Sequence, residues 1–244
     1  TKKTQNILIV RNDKIGDFTL ILPAVASLKK NIPNSKVVCL VSKNVEELAQ
    51  QCEFIDEVIV DKKIKDLYVQ LKEYKFDMAI SFFSTFRIGY LLKKLNIPLR
   101  LAPKTKLAQI FYNHKFYQKR SESKKPEYEY NIDLIYEAFK IMNISNIEEM
   151  SLGPYLTYDY EMAAKNRINF ISEYNLNPDK KIIFLHPGTG GSSKGLSLED
   201  FGNICRGLRN FDNYNFLVHC SKEEEQIAKN LKISVDSEVT IRVI

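Results

Sequence analysis

The chain has 244 residues, 44% hydrophobic and 27% charged, an ordinary composition for a globular protein with room for one large domain or two small ones. No apolar run approaches the ~20 residues that span a bilayer, and Ile7–Val10 is too short for a signal-peptide core. The net charge of +6 suits anionic ligands without demanding nucleic acid, and four cysteines without C-x-x-C spacing read as reduced thiols of a cytoplasmic protein.

Strand and helix patterns then alternate along the chain. Ile7–Arg11 reads as a strand and Asp17–Lys30 as a helical pattern, within which Pro23 begins a new stretch or makes a kink. Strands at Lys36–Val41, Glu57–Val60 and Met78–Phe82 follow, separated by helices at Asn44–Gln51 and Lys65–Tyr74. The middle is less regular until a helix at Tyr130–Met142, and Ser151–Thr157, with Gly153 and Pro154, reads as a linker. After it come helix Tyr160–Tyr174, strand Lys181–His186, helix Ser197–Asn210, strand Asn215–His219, helix Lys222–Lys232 and strand Val239–Val243. Such alternation predicts parallel sheets built from right-handed crossovers. The chain divides near residue 155 into a first domain of ordinary size, 1–155, and a second, 156–244, that is short for a free-standing doubly wound domain.

Four features could carry chemistry. Asp17, beside Gly16 at a strand-to-helix junction, could act as a general base on a hydroxyl entering the crevice at the strand's carboxyl end; a first-turn helix acid is the bland alternative. Gly16 could serve a positive φ or a close substrate approach, and Arg11 and Lys14 could hold an anionic group. The second feature is His186–Lys194 (HPGTGGSSK), where glycines, hydroxyls and one lysine follow a strand and precede a helix capped by Ser197. It could cradle a diphosphate with Thr189, Ser192, Ser193 and Lys194, although it fits neither G-x-x-x-x-G-K-[ST] nor G-x-G-x-x-G; a flexible loop is the alternative. His186 itself reads as a packed strand-end histidine.

The third feature is Glu223-Glu224-Glu225, after a strand, where one carboxylate could bind ribose hydroxyls or all three could form a solvated first helical turn. The fourth is the basic, aromatic segment Arg100–Lys125, which could face anionic lipid or a phosphorylated glycolipid, form a nucleic-acid patch, or be a solvated loop-and-helix region with its aromatics in the core. Three histidines without clustered acids or cysteines give no metal-site pattern.

In collinear order, Arg11–Asp17 (RNDKIGD) with Pro23 and Ala24, His186–Lys194, Glu223–Glu225 and the helix pattern Tyr130–Ile144 resemble glycosyltransferase family 9, the ADP-heptose:lipopolysaccharide heptosyltransferases. The resemblance implies an α/β fold of GT-B type, two Rossmann-like domains facing a cleft, the second incomplete. It implies acceptor binding by the first domain through Arg11, Lys14 and Gly16, with Asp17 as the catalytic base. It implies donor binding by the second domain, with Thr189, Ser192, Ser193 and Lys194 on the diphosphate and Glu223 on the ribose. The implied chemistry is an inverting displacement with ADP-heptose or a similar nucleotide-sugar as co-substrate, no metal and no other cofactor. An anionic glycolipid is the implied acceptor, at the cytoplasmic face of the inner membrane. The family's later N-D-[ST]-G-x-x-H motif does not occur here, so the expectation is a C-terminally truncated member. An inactive remnant, or a binding subunit retaining the acceptor domain, is the alternative.

Overall fold

The computed structural model describes residues 5–104, 107–149, 153–188, 195–208, 214–234 and 241–243. The chain forms two compact units, Thr1–Tyr158 and Asp159–Ile244.

The first unit runs β1 (Asn6–Arg11), α1 (Ile15–Thr19), α2 (Leu22–Asn31), β2 (Lys36–Val41), α3 (Glu46–Gln50), β3 (Glu57–Val60), α4 (Ile64–Leu71), β4 (Met78–Ser81), α5 (Phe86–Lys94), β5 (Leu99–Pro103), β6 (His114–Phe116) and α6 (Glu127–Ile141). Its sheet has the order β3-β2-β1-β4-β5-β6, and every pairing is parallel. The period of two along β1 sends Ile7 and Ile9 into a core shared with Val25, Leu28 and Phe139. Leu8 and Val10 enter a second core with Leu67 and Leu91 on the opposite face. Burial on both faces is why these strands read as continuous apolar runs.

The single helical pattern Asp17–Lys30 is two helices. Pro23 lies in the first turn of α2, where its missing N–H has no intrahelical partner to lose. The less regular middle holds α5, β5 and β6, so the sheet gains two strands that the apolar pattern did not announce. Both are short, β6 is an edge strand with Lys115 exposed, and β5 closes on Pro103. Gly89 sits inside α5 because a Cβ there would come within 2.9 Å of Phe111 Cδ2, in a 3-10 turn at Leu107–Phe111 that packs on the helix. The described part of the expected linker belongs to the first unit. Tyr155 and Leu156 pack on its core, and the Thr157 N–H and hydroxyl both donate to the Gln51 carbonyl, at 2.8 and 3.0 Å.

The second unit runs α7 (Tyr160–Glu173), β7 (Lys181–Leu185), α8 (Leu198–Leu208), β8 (Tyr214–Val218), α9 (Glu225–Ser234) and β9 (Ile241–Val243), with a parallel sheet of order β7-β8-β9. Its core is small and includes Leu185, Cys205, Phe216, Val218, Ala228 and Leu231. Ser197 caps α8 as its position suggests. The Ser197 hydroxyl accepts from the Asp200 N–H at 3.1 Å, and the Ser197 N–H donates back to Asp200 Oδ2 at 3.0 Å. Cys39, Cys52, Cys205 and Cys220 are free thiols, and burial pushes Cys39 well above the usual thiol range.

Candidate active site

In the first sheet the strand order reverses between the parallel neighbours β1 and β4, the switch point at whose carboxyl ends an α/β sheet opens its ligand crevice. The loop after β1 carries the RNDKIGD residues to that point. It is tied to three other strand ends. Arg11 Nη1 donates to the Phe82 carbonyl after β4 at 3.3 Å, the Ser42 hydroxyl after β2 donates to the Asp13 carbonyl at 2.8 Å, and Asn12 Nδ2 donates to Asp61 Oδ2 after β3 at 2.6 Å. These tethers hold the loop before any ligand arrives.

Arg11 is the centre of the charge arrangement. It is 4% exposed, and its Nη2 lies 2.6 Å from Asp17 Oδ1. Its Nε lies 2.9 Å from Asp13 Oδ1, an ion pair whose alignment leaves both atoms without a proper hydrogen bond. Burial pushes the Asp13 carboxyl up, the Arg11 charge pulls it down, and Asp17 adds a smaller upward push. Asn12 Oδ1 and Asp61 Oδ1 are also buried without a partner at this edge. Four side-chain atoms buried without a hydrogen-bond partner, Arg11 Nε, Asn12 Oδ1, Asp13 Oδ1 and Asp61 Oδ1, thus gather at this edge. Asp17 differs from Asp13 in access: its side chain is 37% exposed. A carboxylate fixed by one buried guanidinium and still open to solvent can accept a proton from an incoming hydroxyl.

In the second unit, the residues after β7 and β8 again gather at the carboxyl edge. His186 Nδ1 donates to the His219 carbonyl at 2.8 Å, and the two rings lie 5.4 Å apart. His186 is exposed, not packed. Pro187 and Gly188 are buried, and a Cβ on Gly188 would come within 2.2 Å of the Glu224 carboxylate. Glu224 closes a capping box with Ser221, whose hydroxyl donates to Glu224 Oε2 at 3.1 Å. Of the three glutamates, then, Glu224 faces the glycine segment, Glu225 pairs with Lys229 at 2.6 Å, and Glu223 is exposed. Among the described residues no group of three or more His, Cys, Asp or Glu side chains could hold a metal ion.

No family model matches the chain. A Haemophilus influenzae protein named "Putative glycosyltransferase" is 40% identical over 210 residues, which is 84% of this chain and 60% of that protein. The chain is a homologue of that protein. The chain thus spans about 60% of its relative's length. Among solved structures, the E. coli ADP-heptose LPS heptosyltransferase II superposes with a TM-score of 0.79 at 15% identity, over 98% of this chain and 72% of that one. The glycosyl transferase family 9 structure from Veillonella parvula gives 0.78 at 16%, covering 97% and 68%. The E. coli heptosyltransferase WaaC with ADP gives 0.65 at 18%, covering 97% and 74%. The α/β fold with parallel sheets is therefore that of the GT-B heptosyltransferases.

In the first unit, Arg11, Lys14, Gly16 and Asp17 come together at the carboxyl edge of the sheet. Lys14 is the exposed N-cap of α1. Gly16 has no positive φ, and a Cβ there would meet nothing within 4 Å, so the protein's own backbone and packing do not require a glycine at this position. Thr189, Ser192, Ser193 and Lys194 lie outside the described residues. In the basic segment Lys104 and Lys115 are exposed, while five of the other cations are engaged. Arg100 Nε donates to the Phe111 carbonyl at 2.8 Å, Lys119 and Lys124 pair with Glu122, Arg120 pairs with Glu127, and Lys125 pairs with Asp133. Burial pushes Arg120 down from its ordinary value, with Glu127 opposing that and Arg11 adding to it. Asp13 and Glu224 were not singled out by sequence alone. Asp13 stands between named residues of its motif, and Glu224 was signalled by the S-x-x-E box beginning at Ser221.

Proposed function

We propose that the protein is an inverting glycosyltransferase that moves a heptose or related sugar from an ADP-activated donor to a hydroxyl of an anionic lipopolysaccharide or lipooligosaccharide core. The observation that carries this reading is Asp17, open to solvent at the crevice and held by Arg11 at 2.6 Å. The homologue's name supports the reaction class, and the neighbour solved with ADP supports the donor class.

In this reading Asp17 takes the proton of the acceptor hydroxyl. The freed oxygen attacks the anomeric carbon from the face opposite the diphosphate, the bond from that carbon to the donor phosphate breaks, and the nucleoside diphosphate leaves with inversion. Arg11 orients Asp17 through the 2.6 Å ion pair. Lys14 meets an anionic group of the acceptor, and Gly16 leaves space for its sugar. On the donor side, Thr189, Ser192, Ser193 and Lys194 hold the diphosphate and offset its charge as it leaves, and Glu223 binds the ribose. The work is done at the cytoplasmic face of the inner membrane; no helix among the described residues is long and apolar enough to cross it.

The test is Asp17→Asn, assayed for transfer and titrated separately with ADP. Turnover should fall by about 10²- to 10⁴-fold, the span of a lost general base, while ADP affinity stays put. A matched loss of both would remove Asp17 from the base role. Lys194→Ala should do the reverse and weaken ADP binding first.

A further inference from the structure

The helix α5 turns Ile88, Leu91 and Leu92 into the second core, so its outer face carries Phe86, Arg87, Tyr90, Lys93 and Lys94. Phe86 is 60% exposed and Tyr90 47%. The turn Leu107–Phe111 lies against them, with the Phe111 ring 4.7 Å from Phe86 and 6.1 Å from Tyr90. On that turn Leu107 is 86% exposed and Ile110 63%. Four large apolar side chains therefore share one surface joined through Phe111. A patch of this kind marks an interaction site.

Its rim is cationic. Lys93, Lys94 and Lys104 are exposed, and no Asp or Glu occurs in α5 or in residues 98–111. The neighbouring start of α4 adds exposed Lys62, Lys63 and Lys65 against Asp66, while Asp61 pairs with Arg87. Lysine is depleted in protein–protein interfaces, whereas lysines around exposed aromatics and aliphatics suit the headgroup layer of an anionic bilayer. Position agrees with this chemistry. α5 begins four residues after Phe82, whose carbonyl accepts from Arg11, and the turn begins four residues after Pro103 ends β5. Both segments leave the same carboxyl edge of the sheet that holds Asp17.

We propose that the outer face of α5 and the Leu107–Phe111 turn dock on an anionic lipid bilayer. The apolar side chains enter the headgroup boundary, the lysines meet lipid phosphates, and the crevice edge is held at the membrane surface. This shifts membrane contact away from the Lys119–Lys125 stretch, whose cations are ion-paired with Glu122, Glu127 and Asp133. Its purpose rests on the glycolipid acceptor proposed above.

The experiment uses the full chain with vesicles of phosphatidylcholine containing about a third phosphatidylglycerol, and with phosphatidylcholine alone. The protein should sediment with the anionic vesicles only. Phe86→Ser with Ile110→Ser, and separately Lys93→Gln with Lys94→Gln, should each lower partition by about tenfold. The chain has no tryptophan, so Tyr90→Trp introduces a sole indole whose emission should shift to the blue on anionic vesicles. That reporter decides the matter even if a serine variant unfolds. An unshifted emission, or partition unchanged in both double variants, overturns the proposal. So does self-association through this face without vesicle binding. Transfer to a delipidated, soluble acceptor is measured in parallel. Transfer without vesicle binding overturns the docking alone, whereas vesicle binding without transfer supports the docking and overturns the glycosyltransferase reading.

Discussion

The two carboxyl edges are built by different means. The edge of the first unit is held by side chains: Arg11 between Asp13 and Asp17, Asn12 on Asp61, Ser42 on the Asp13 carbonyl. Its loop draws on the ends of four strands of a sheet buried on both faces. The described edge of the second unit is shaped by backbone: a buried Pro187-Gly188 pair against Glu224, itself fixed by the Ser221 capping box. In the proposed reaction, charge fixed by the buried Arg11 suits a carboxylate that must keep one orientation while it moves a proton. A glycine surface suits close approach by a bulky polyanion. The contrast teaches that two edges with the same strand-to-loop layout can be fixed by different means, side-chain charge in one and backbone packing in the other.

The largest way to break the contrast is Arg11→Met. It leaves Asp13 and Asp17 facing each other without a cation and should destabilise the first unit by roughly 3–5 kcal/mol in denaturant unfolding at pH 7. The deficit should shrink as pH falls, because burial already raises Asp13 and a protonated Asp13 no longer needs a partner. A pH-independent deficit would mean that Arg11 acts through packing alone.

Tyr112 gives the next largest effect. Its hydroxyl donates to Ser81 Oγ at 2.9 Å at the end of β4, and burial pushes the phenol up to about 12. A phenol whose folded pKa lies above its unfolded value contributes fully below pH ~10, and that contribution is lost as pH rises toward 12. The loss should reach roughly 2 kcal/mol and should vanish in Tyr112→Phe, followed by alkaline unfolding.

The second edge should respond least. Ser221→Ala removes the cap and should cost about 1 kcal/mol of stability. Gly188→Ala forces the flexible Glu224 side chain aside at a similar cost, since its carboxylate occupies the space a Cβ would take. Neither should alter the pH dependence of the Arg11 edge. If either does, the two edges are coupled and the contrast is too simple.

Much of the fold was legible because burial on two faces leaves long apolar runs. Lys36–Val41 and Glu57–Val60 are strands over the residues their pattern indicates. β5 and β6 were not legible, since strands of a few residues bearing Arg100 and Lys115 carry little periodic signal. Within the site, Asp17, Arg11, Lys14 and Gly16 could be named from one motif because they are neighbours in sequence. Asp61 and Ser42 could not, because only the sheet order brings the ends of β3 and β2 to that loop.

By itself the sequence determined the α/β alternation, the acid beside Gly16 and the glycine-rich second motif, all local patterns of apolarity and turn chemistry. Only the tertiary structure decided that Arg11 is a buried clamp, that Glu224 faces Gly188 while Glu223 is exposed, and that Lys119, Arg120, Lys124 and Lys125 of the basic segment are ion-paired. Each of these depends on which distant charge or carbonyl folding brings within about 3 Å, a distance no local pattern contains.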